Sequence, residues 1–175
     1  MTAMSFYTDR LWIRPIEAGD WYASQMIIKD FNRSKYRIYD MPLPESDTQV
    51  RDMTTQWAQS GLFFGIFLAD TSEMIGYICF HRDNSIYDLG YCFHTAHHGK
   101  GYAYEGCAAL MDEMTSCYPI RCFTASTALE NEPSCRLLEK LGFTLRGTEC
   151  ISFHKDAYGN DIPFTSGNFI KNLRL

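Results

Sequence analysis

The feature of the sequence most suggestive of chemistry is a loop with two glycines, between strand-forming residues and the start of a helical pattern. The segment from Leu89 to Gly106 reads LGYCFHTAHHGKGYAYEG, with Gly99 and Gly101 in the loop. The first turn of a helix has unpaired backbone N–H groups and the positive end of the helix dipole, and glycine lets a bulky phosphate approach them. The loop therefore predicts a phosphate site, although an ordinary strand-to-helix turn also uses glycines for their backbone angles. Neither a Walker loop nor the dinucleotide pattern GxGxxG is present, so ATP and NAD are not favoured.

The elements around this loop predict a mixed α/β domain without repeats or long linkers. Capping signals and apolar periodicity predict four helices: Asp20 to about Lys29, Ser46 to Gly61, one after Gly101 and one from Asn131 to Gly142. Runs of β-forming residues predict seven strands: Leu11–Ile13, Leu62–Ala69, Met74–His81, Ile86–His94, Arg121–Thr127, Phe143–His154 and about Phe164–Leu173. The predicted order is β-α-α-β-β-β-α-β-α-β-β.

Composition and charge exclude several classes of protein. The 175 residues, 46% apolar and 21% charged, predict one folded domain over residues 1–175. A net charge of -5 gives no general attraction to nucleic acid or to anionic lipid, so neither is an expected partner. No stretch is long and apolar enough to span a bilayer, and the first residues lack a signal-peptide pattern, so we expect a cytoplasmic protein. The seven cysteines form no CxxC pair, and we expect reduced thiols and no metal site.

Several motifs follow one another along the chain in a fixed order. They are TDRLWIRP at Thr8–Pro15, HGKGYA at His98–Ala103, NEPS at Asn131–Ser134 and LEKLGF at Leu138–Phe143. Together they resemble the GNAT superfamily of acyl-CoA-dependent N-acetyltransferases, specifically its RimJ/RimL-like branch, which acetylates protein N-termini. The resemblance covers nearly the whole chain.

This resemblance implies a fold, a co-substrate and the residues that hold it. The implied fold is a twisted, mixed and mostly antiparallel sheet, splayed open by a bulge at the fourth strand and flanked by helices. The implied co-substrate is acetyl-CoA, with its pantetheine arm beside the splayed strand and its pyrophosphate on the glycine loop. The implied cofactor-binding residues are Cys92, Phe93, His94, His98, Gly99, Lys100, Gly101, Tyr102, Ala103, Asn131 and Ser134.

The sequence departs from the family pattern at two positions. His98 stands where the family usually has Gln or Arg, so one phosphate contact is in question while the backbone amides are unaffected. Leu138 stands where many members have a tyrosine that protonates the departing thiolate, and leucine has no proton to give. The RimJ/RimL-like branch commonly lacks this tyrosine.

Acetyl transfer to an amine needs a group to accept the amine's proton and one to stabilise the leaving thiolate. Asp88 is the first candidate base, because the branch usually has Glu there; alternatively it pairs with a surface cation. His94 and His81, at strand ends, are alternative bases because imidazole titrates near neutral pH, unless a ring nitrogen bonds to the backbone. Ser134 is the candidate donor to the thiolate, or it helps Asn131 cap the helix. Four tyrosines near the loop are expected mainly in the core, with part of an acceptor pocket as the alternative: Tyr87, Tyr91, Tyr102 and Tyr104.

These residues predict an enzyme that moves acetyl from acetyl-CoA to a primary amine by direct attack in a ternary complex. A protein or peptide N-terminal amine is the expected acceptor. A polyamine, an antibiotic or an aminoacyl compound is the alternative acceptor, and a non-catalytic acyl-CoA-binding module is the alternative from another class. Both a monomer and a homodimer are compatible with the sequence.

Overall fold

The computed structural model describes residues 4–173, and these residues contain one eight-stranded sheet. The strands lie in the order β1-β2-β3-β4-β5-β6-β8-β7, and every neighbouring pair is antiparallel except β5 with β6. Their bounds are β1 Phe6–Tyr7, β2 Leu11–Pro15, β3 Phe63–Leu68, β4 Met74–Asp83, β5 Ile86–Phe93, β6 Cys122–Ala128, β7 Thr144–Ile151 and β8 Phe164–Asn172.

Four α-helices of the described residues flank the sheet, two on each face. They are α1 Trp21–Arg33, α2 Asp47–Ser60, α3 Tyr102–Cys117 and α4 Glu132–Lys140. On one face, Leu110 of α3 and Leu138 of α4 join the larger apolar core together with Phe123 of β6. On the other face, Ile27 of α1 and Trp57 of α2 belong to a smaller core. Among residues 4–173, no helix is both long enough and apolar enough to cross a bilayer.

The sheet opens between β5 and β6, the two parallel strands at its centre. Only Ile86–Asp88 pair with Cys122–Thr124, and β5 then continues to Phe93 while paired with β4 alone. The splayed strand is the fourth of the predicted strands and becomes β5 once the short β1 is counted. The β4–β5 ladder keeps one register from Asp83↔Ile86 to Gly76↔Phe93, so the strands separate without the register shift expected from a bulge. The mixed, mostly antiparallel and splayed sheet is confirmed.

The structure differs from the predicted elements where local pattern carries little information. The two residues of β1 are too few to show a period, and α1 continues to Arg33 beyond the expected Lys29. Strand β8 lies between β6 and β7, an order that the chain sequence does not reveal. The prediction of a single domain over residues 1–175 stays a prediction, and its first three and last two residues lie outside the described part.

Candidate active site

The glycine loop joins the free end of β5 to the first turn of α3. Gly99 and Gly101 adopt φ angles of +73° and +83°, a left-handed conformation that other residues rarely take. Within residues 4–173, the amides of Gly99, Lys100 and Gly101 meet no hydrogen-bond acceptor, and a Cβ added to Gly99 would meet nothing within 4 Å. Exposed amides beside a helix N-terminus fit a phosphate group, so the loop has the geometry that the sequence predicts.

A carboxylate in the first turn of α3 is held by the start of the sheet. Glu105 accepts hydrogen bonds from the Thr8 hydroxyl (2.6 Å) and from Arg10 Nε (2.7 Å). Arg10 also donates through Nη1 to the Lys100 carbonyl at 2.8 Å, and its guanidinium lies over the ring of Tyr102. Burial would raise the pKa of Glu105, but the bonds from Thr8 and Arg10 outweigh it and lower that pKa. The contacts neutralise Glu105 and anchor the loop to the residues before β2.

The sequence analysis does not predict this Arg10–Glu105 pair beside the candidate phosphate loop. The sequence does contain a signal for such a pair, because a glutamate in the first turn of a helix that is predicted to bind phosphate needs a compensating cation. In the sequence, Thr8 and Arg10 stand out only as part of the motif Thr8–Pro15. The two partners are 95 residues apart, so spacing alone does not link them.

The side chain of His98 points back toward β5. Its Nε2 donates to the Phe93 carbonyl at 2.8 Å, because a carbonyl can only accept. The ring therefore fixes the junction of strand and loop, which explains how histidine can stand where the family pattern has Gln or Arg.

His94 has both ring nitrogens close to protein partners. Its Nδ1 accepts from the Ala96 amide at 3.2 Å, and its Nε2 lies 3.7 Å from a carboxylate oxygen of Asp30. This is the backbone-bonded arrangement expected of a strand-end histidine. No three His, Cys, Asp or Glu side chains of the described residues assemble as a metal-ligand group.

Side chains of β5 alternate between the two faces of the sheet. Leu89, Tyr91 and Phe93 pack with the larger core beneath α3 and α4, whereas Cys92 packs with the smaller core. Burial raises the pKa of the Cys92 thiol to about 12, so it is protonated at neutral pH. Cys92 and Phe93 therefore lie at the splayed strand as predicted, on opposite faces, and the thiol is not an activated nucleophile.

Ser134 lies on the α3–α4 face and bonds to Tyr91. Its hydroxyl is 2.7 Å from the Tyr91 hydroxyl, while its amide donates to Asn131 Oδ1 at 3.4 Å. Asn131 therefore supplies the helix cap and leaves the serine hydroxyl for the contact with Tyr91. Burial raises the pKa of Tyr91, so the phenol is neutral and can donate to Ser134. Leu138 is buried in the core, as expected of a residue without a proton to give.

Asp88 lies on the opposite face of β5 from Tyr91, at the point where β5 and β6 part. Its carboxylate accepts from the Thr124 hydroxyl at 2.7 Å. His81 is its direct cross-strand partner on β4, so the two side chains share a face although they form no ion pair within the described chain. The structure thus places two candidate bases, Asp88 and His81, on one face of the sheet, and Ser134 on the opposite face.

A cavity of about 340 Å³ opens beside Asp88 on this face, and we call it the β6–β8 cavity. Polar groups of four strands line it, including Asp88, Thr124, Ser126, Arg146 and Asn168. It has room for a small ligand or the first residues of a peptide.

Comparisons with known proteins agree with this geometry. The chain matches the acetyltransferase (GNAT) domain family over residues 10–144. The uncharacterized N-acetyltransferase YnaD of Bacillus subtilis (strain 168) is 29% identical over 152 residues, which cover 85% of this chain and 88% of that protein. An acetyltransferase (GNAT family) from Bacillus anthracis is 25% identical, with a TM-score of 0.78 over 97% of this chain and 98% of that one. A RimL ribosomal L7/L12 alpha-N-protein acetyltransferase shares the fold, with a TM-score of 0.79 and 19% identity over 99% and 96% of the two chains.

Proposed function

Because the chain belongs to the acetyltransferase (GNAT) domain family, we propose that it acetylates the N-terminal amine of a protein or peptide. Acetyl-CoA-dependent N-acetyl transfer itself follows from the family and from the N-acetyltransferase relatives, so the non-catalytic module is set aside. The observation that carries the proposal is the arrangement around β5, with the glycine loop at its end, Ser134 on one face and Asp88 on the other. The RimL structure, an alpha-N-protein acetyltransferase of the same fold, supports the choice of acceptor. The cytoplasm stays the predicted compartment.

The loop and the open edge of β5 would hold the co-substrate. The free amides of Gly99, Lys100 and Gly101, with the dipole of α3, suit the pyrophosphate. Beyond Asp88, the edge of β5 that faces away from β4 is available to pair with the pantetheine arm. The other residues proposed to contact acetyl-CoA are Cys92, Phe93, His94, His98, Tyr102, Ala103, Asn131 and Ser134.

The side chains on the two faces of β5 have separate tasks in the reaction. Acetyl-CoA supplies an acetyl thioester, whose C–S bond breaks as the amide C–N bond forms and a thiolate leaves. Asp88 accepts the proton that the attacking amine loses, directly or through one water, while its bond from Thr124 holds the carboxylate in place. Ser134, bonded to Tyr91, donates a hydrogen bond to the leaving thiolate, which takes its proton from solvent. Asp88 is preferred to His94 as the base because both nitrogens of His94 already face partners.

The acceptor class is tested by turnover. Release of CoA is measured with peptides that have a free or a formylated N-terminus, and with a panel of polyamines, aminoglycosides and aminoacyl compounds. We expect turnover of free N-termini and none of the formylated controls. Turnover confined to small amines would contradict the peptide proposal, and acetyl-CoA binding without turnover of any amine would contradict enzymatic activity.

The base is tested by Asp88→Asn. We expect kcat to fall about 10²-fold or more, with acetyl-CoA affinity near wild type. Asp83→Asn, at the exposed end of β4, is the matched control and is expected to behave as wild type. If Asp88→Asn keeps nearly full rate at saturating amine from about pH 6 to 9, the assignment is wrong, and His81→Gln then tests its cross-strand neighbour.

A further inference from the structure

The face of the sheet that contains Asp88 is covered only in part beyond β5, where Tyr39 packs on Phe164 at the start of β8. Helices α1 and α2 pack against β3, β4 and β5. On β6 and β7, Ser126, Arg146 and Glu149 are exposed on this side. A ligand in the β6–β8 cavity can therefore enter directly from solvent.

Arg146 reaches this cavity because of an irregularity in β7. The β7–β8 register shifts between Leu145 and Gly147, so Arg146 is an extra residue in its strand and can turn toward the cavity. It forms no ion pair with any residue in the described range 4–173. A guanidinium presents five N–H donors in a planar fork that matches a carboxylate. An uncommitted arginine that lines a cavity is therefore available to a ligand with that group.

The other polar groups of the cavity leave Arg146 as its source of positive charge. The Ser126 hydroxyl donates to Asn168 Oδ1 at 3.0 Å, and the Asn168 amide donates to Glu149 at 3.4 Å. These bonds satisfy Asn168 and keep Glu149 on the same side of the sheet as Arg146. At the opposite end, Asp88 with its Thr124 contact presents a negative charge. The lining thus has a carboxylate, Asp88, at one end and a cation, Arg146, at the other, while Glu149 lies outside the lining and is bonded to Asn168.

We infer that this cavity binds an acceptor with two charged groups, its amine at Asp88 and a carboxylate at Arg146. Strands β5 and β7 are three positions apart, so their backbones are roughly 14 Å apart, and an acceptor that contacts both side chains must span the part of this distance that the side chains leave open. An extended peptide advances about 3.3 Å per residue, which favours an acidic side chain two or three residues from the N-terminus. The inference rests on the proposed function and names its acceptor class: a peptide with Asp or Glu at position two or three.

The test uses peptides that differ only by Asp or Asn at position two or three. With the wild type, we expect a KM about 10-fold lower for the better acidic peptide than for its Asn counterpart, and a smaller difference at high salt. Arg146→Gln is expected to raise the KM of the acidic peptide to that of the neutral one, and Arg146→Lys to restore part of the difference. Arg33→Gln changes an exposed arginine at the end of α1 and is the matched control.

The outcomes separate this inference from the proposed function. Turnover of both peptides with equal KM, unaffected by Arg146→Gln, would overturn the inference and leave N-terminal acetylation intact. If no peptide is acetylated, binding of the same peptides to the enzyme with CoA is measured instead. A preference for the Asp peptide that Arg146→Gln abolishes would support the inference about the cavity, and equal binding of both peptides would overturn it. A preference for 6-aminohexanoate over every peptide would overturn the peptide as the source of the carboxylate.

Discussion

Removing the cation that neutralises Glu105 should weaken acetyl-CoA binding through charge as well as through the shape of the loop. Arg10 bonds both to Glu105 and to the Lys100 carbonyl, so Arg10→Ala leaves a bare carboxylate in the first turn of α3 and releases the loop. The double variant Arg10→Ala/Glu105→Gln removes that charge again without restoring the bond to Lys100. Comparison of the two variants therefore separates repulsion from loop anchoring.

The size of the charge effect follows from the position of Glu105. Four residues of helix separate it from Gly101, about 6 Å along the axis, which puts its charge roughly 8 Å from a phosphate on the loop. At an effective dielectric constant of ~20, one pair of charges at that distance repels by about 2 kcal/mol, and physiological salt reduces this to below ~1 kcal/mol. The several charges of a pyrophosphate bring the total to about 1–2 kcal/mol, or ~5–30-fold in Kd.

Isothermal titration of acetyl-CoA at low and high ionic strength measures these contributions. We expect Arg10→Ala to raise Kd by about 10-fold or more. The double variant should recover the part of this lost affinity that comes from charge repulsion, which is the part that salt weakens. Glu105→Gln alone keeps the arginine and leaves its charge uncompensated, so this variant should bind acetyl-CoA at least as tightly as the wild type. Thermal unfolding confirms that each variant is folded. An Arg10→Ala variant with the wild-type Kd, or a double variant that binds no better than Arg10→Ala at low salt, would refute the reasoning.

Three further predictions concern the loop, the hydrogen-bond donor to the thiolate and the buried thiol. Gly101→Asp should abolish acetyl-CoA binding in a folded variant, because φ is +83° and the new Cβ would lie 3.3 Å from Arg10; Gly101→Ala measures the strain without the charge. Ser134→Ala should lower kcat more than affinity, and Tyr91→Phe should reproduce part of that loss, whereas a lower melting temperature with wild-type kinetics would indicate a structural role. Burial raises the pKa of Cys92 to about 12, so its reactive thiolate is scarce below that pH. Iodoacetamide at about pH 8 should therefore modify the exposed Cys150 first, and equal rates of modification in peptide mass mapping would contradict this.

Local patterns in the sequence were sufficient to predict the elements that carry the site. The alternating run predicted as Ile86–His94 is observed as Ile86–Phe93, and Ser46 accepts from the Gln49 amide as its capping signature indicates. The glycine loop was also predictable, because strand, loop and helix start are contiguous in the chain. Predictions of this kind depend on a few neighbouring residues, and the structure confirms them.

Contacts between distant segments were not predictable, because they depend on the order of strands in the sheet. Ser134 and Tyr91 are 43 residues apart and meet only because α4 packs on the same face as Tyr91. Arg146 lines the cavity of Asp88 only because β8 lies between β6 and β7 and because β7 has a register shift. Neither the crossover nor the shift has a signature in the residues of one strand.

The division of tasks between the two faces of β5 depends on the register of its ladder with β4. Asp88 and Tyr91 are an odd number of residues apart, so alternation places them on opposite faces, and a slip of one residue would exchange those faces. The tight turn between β4 and β5 fixes this register, with Asn84 in the left-handed conformation at φ +55° that asparagine tolerates better than most residues. Gly76 and Gly90 reinforce it, because a Cβ at Gly76 would collide with Phe93 and one at Gly90 with the Cys79 sulfur, at 2.5 and 2.8 Å. The placement of Asp88 and of Tyr91, which bonds to Ser134, is therefore determined by residues outside the site.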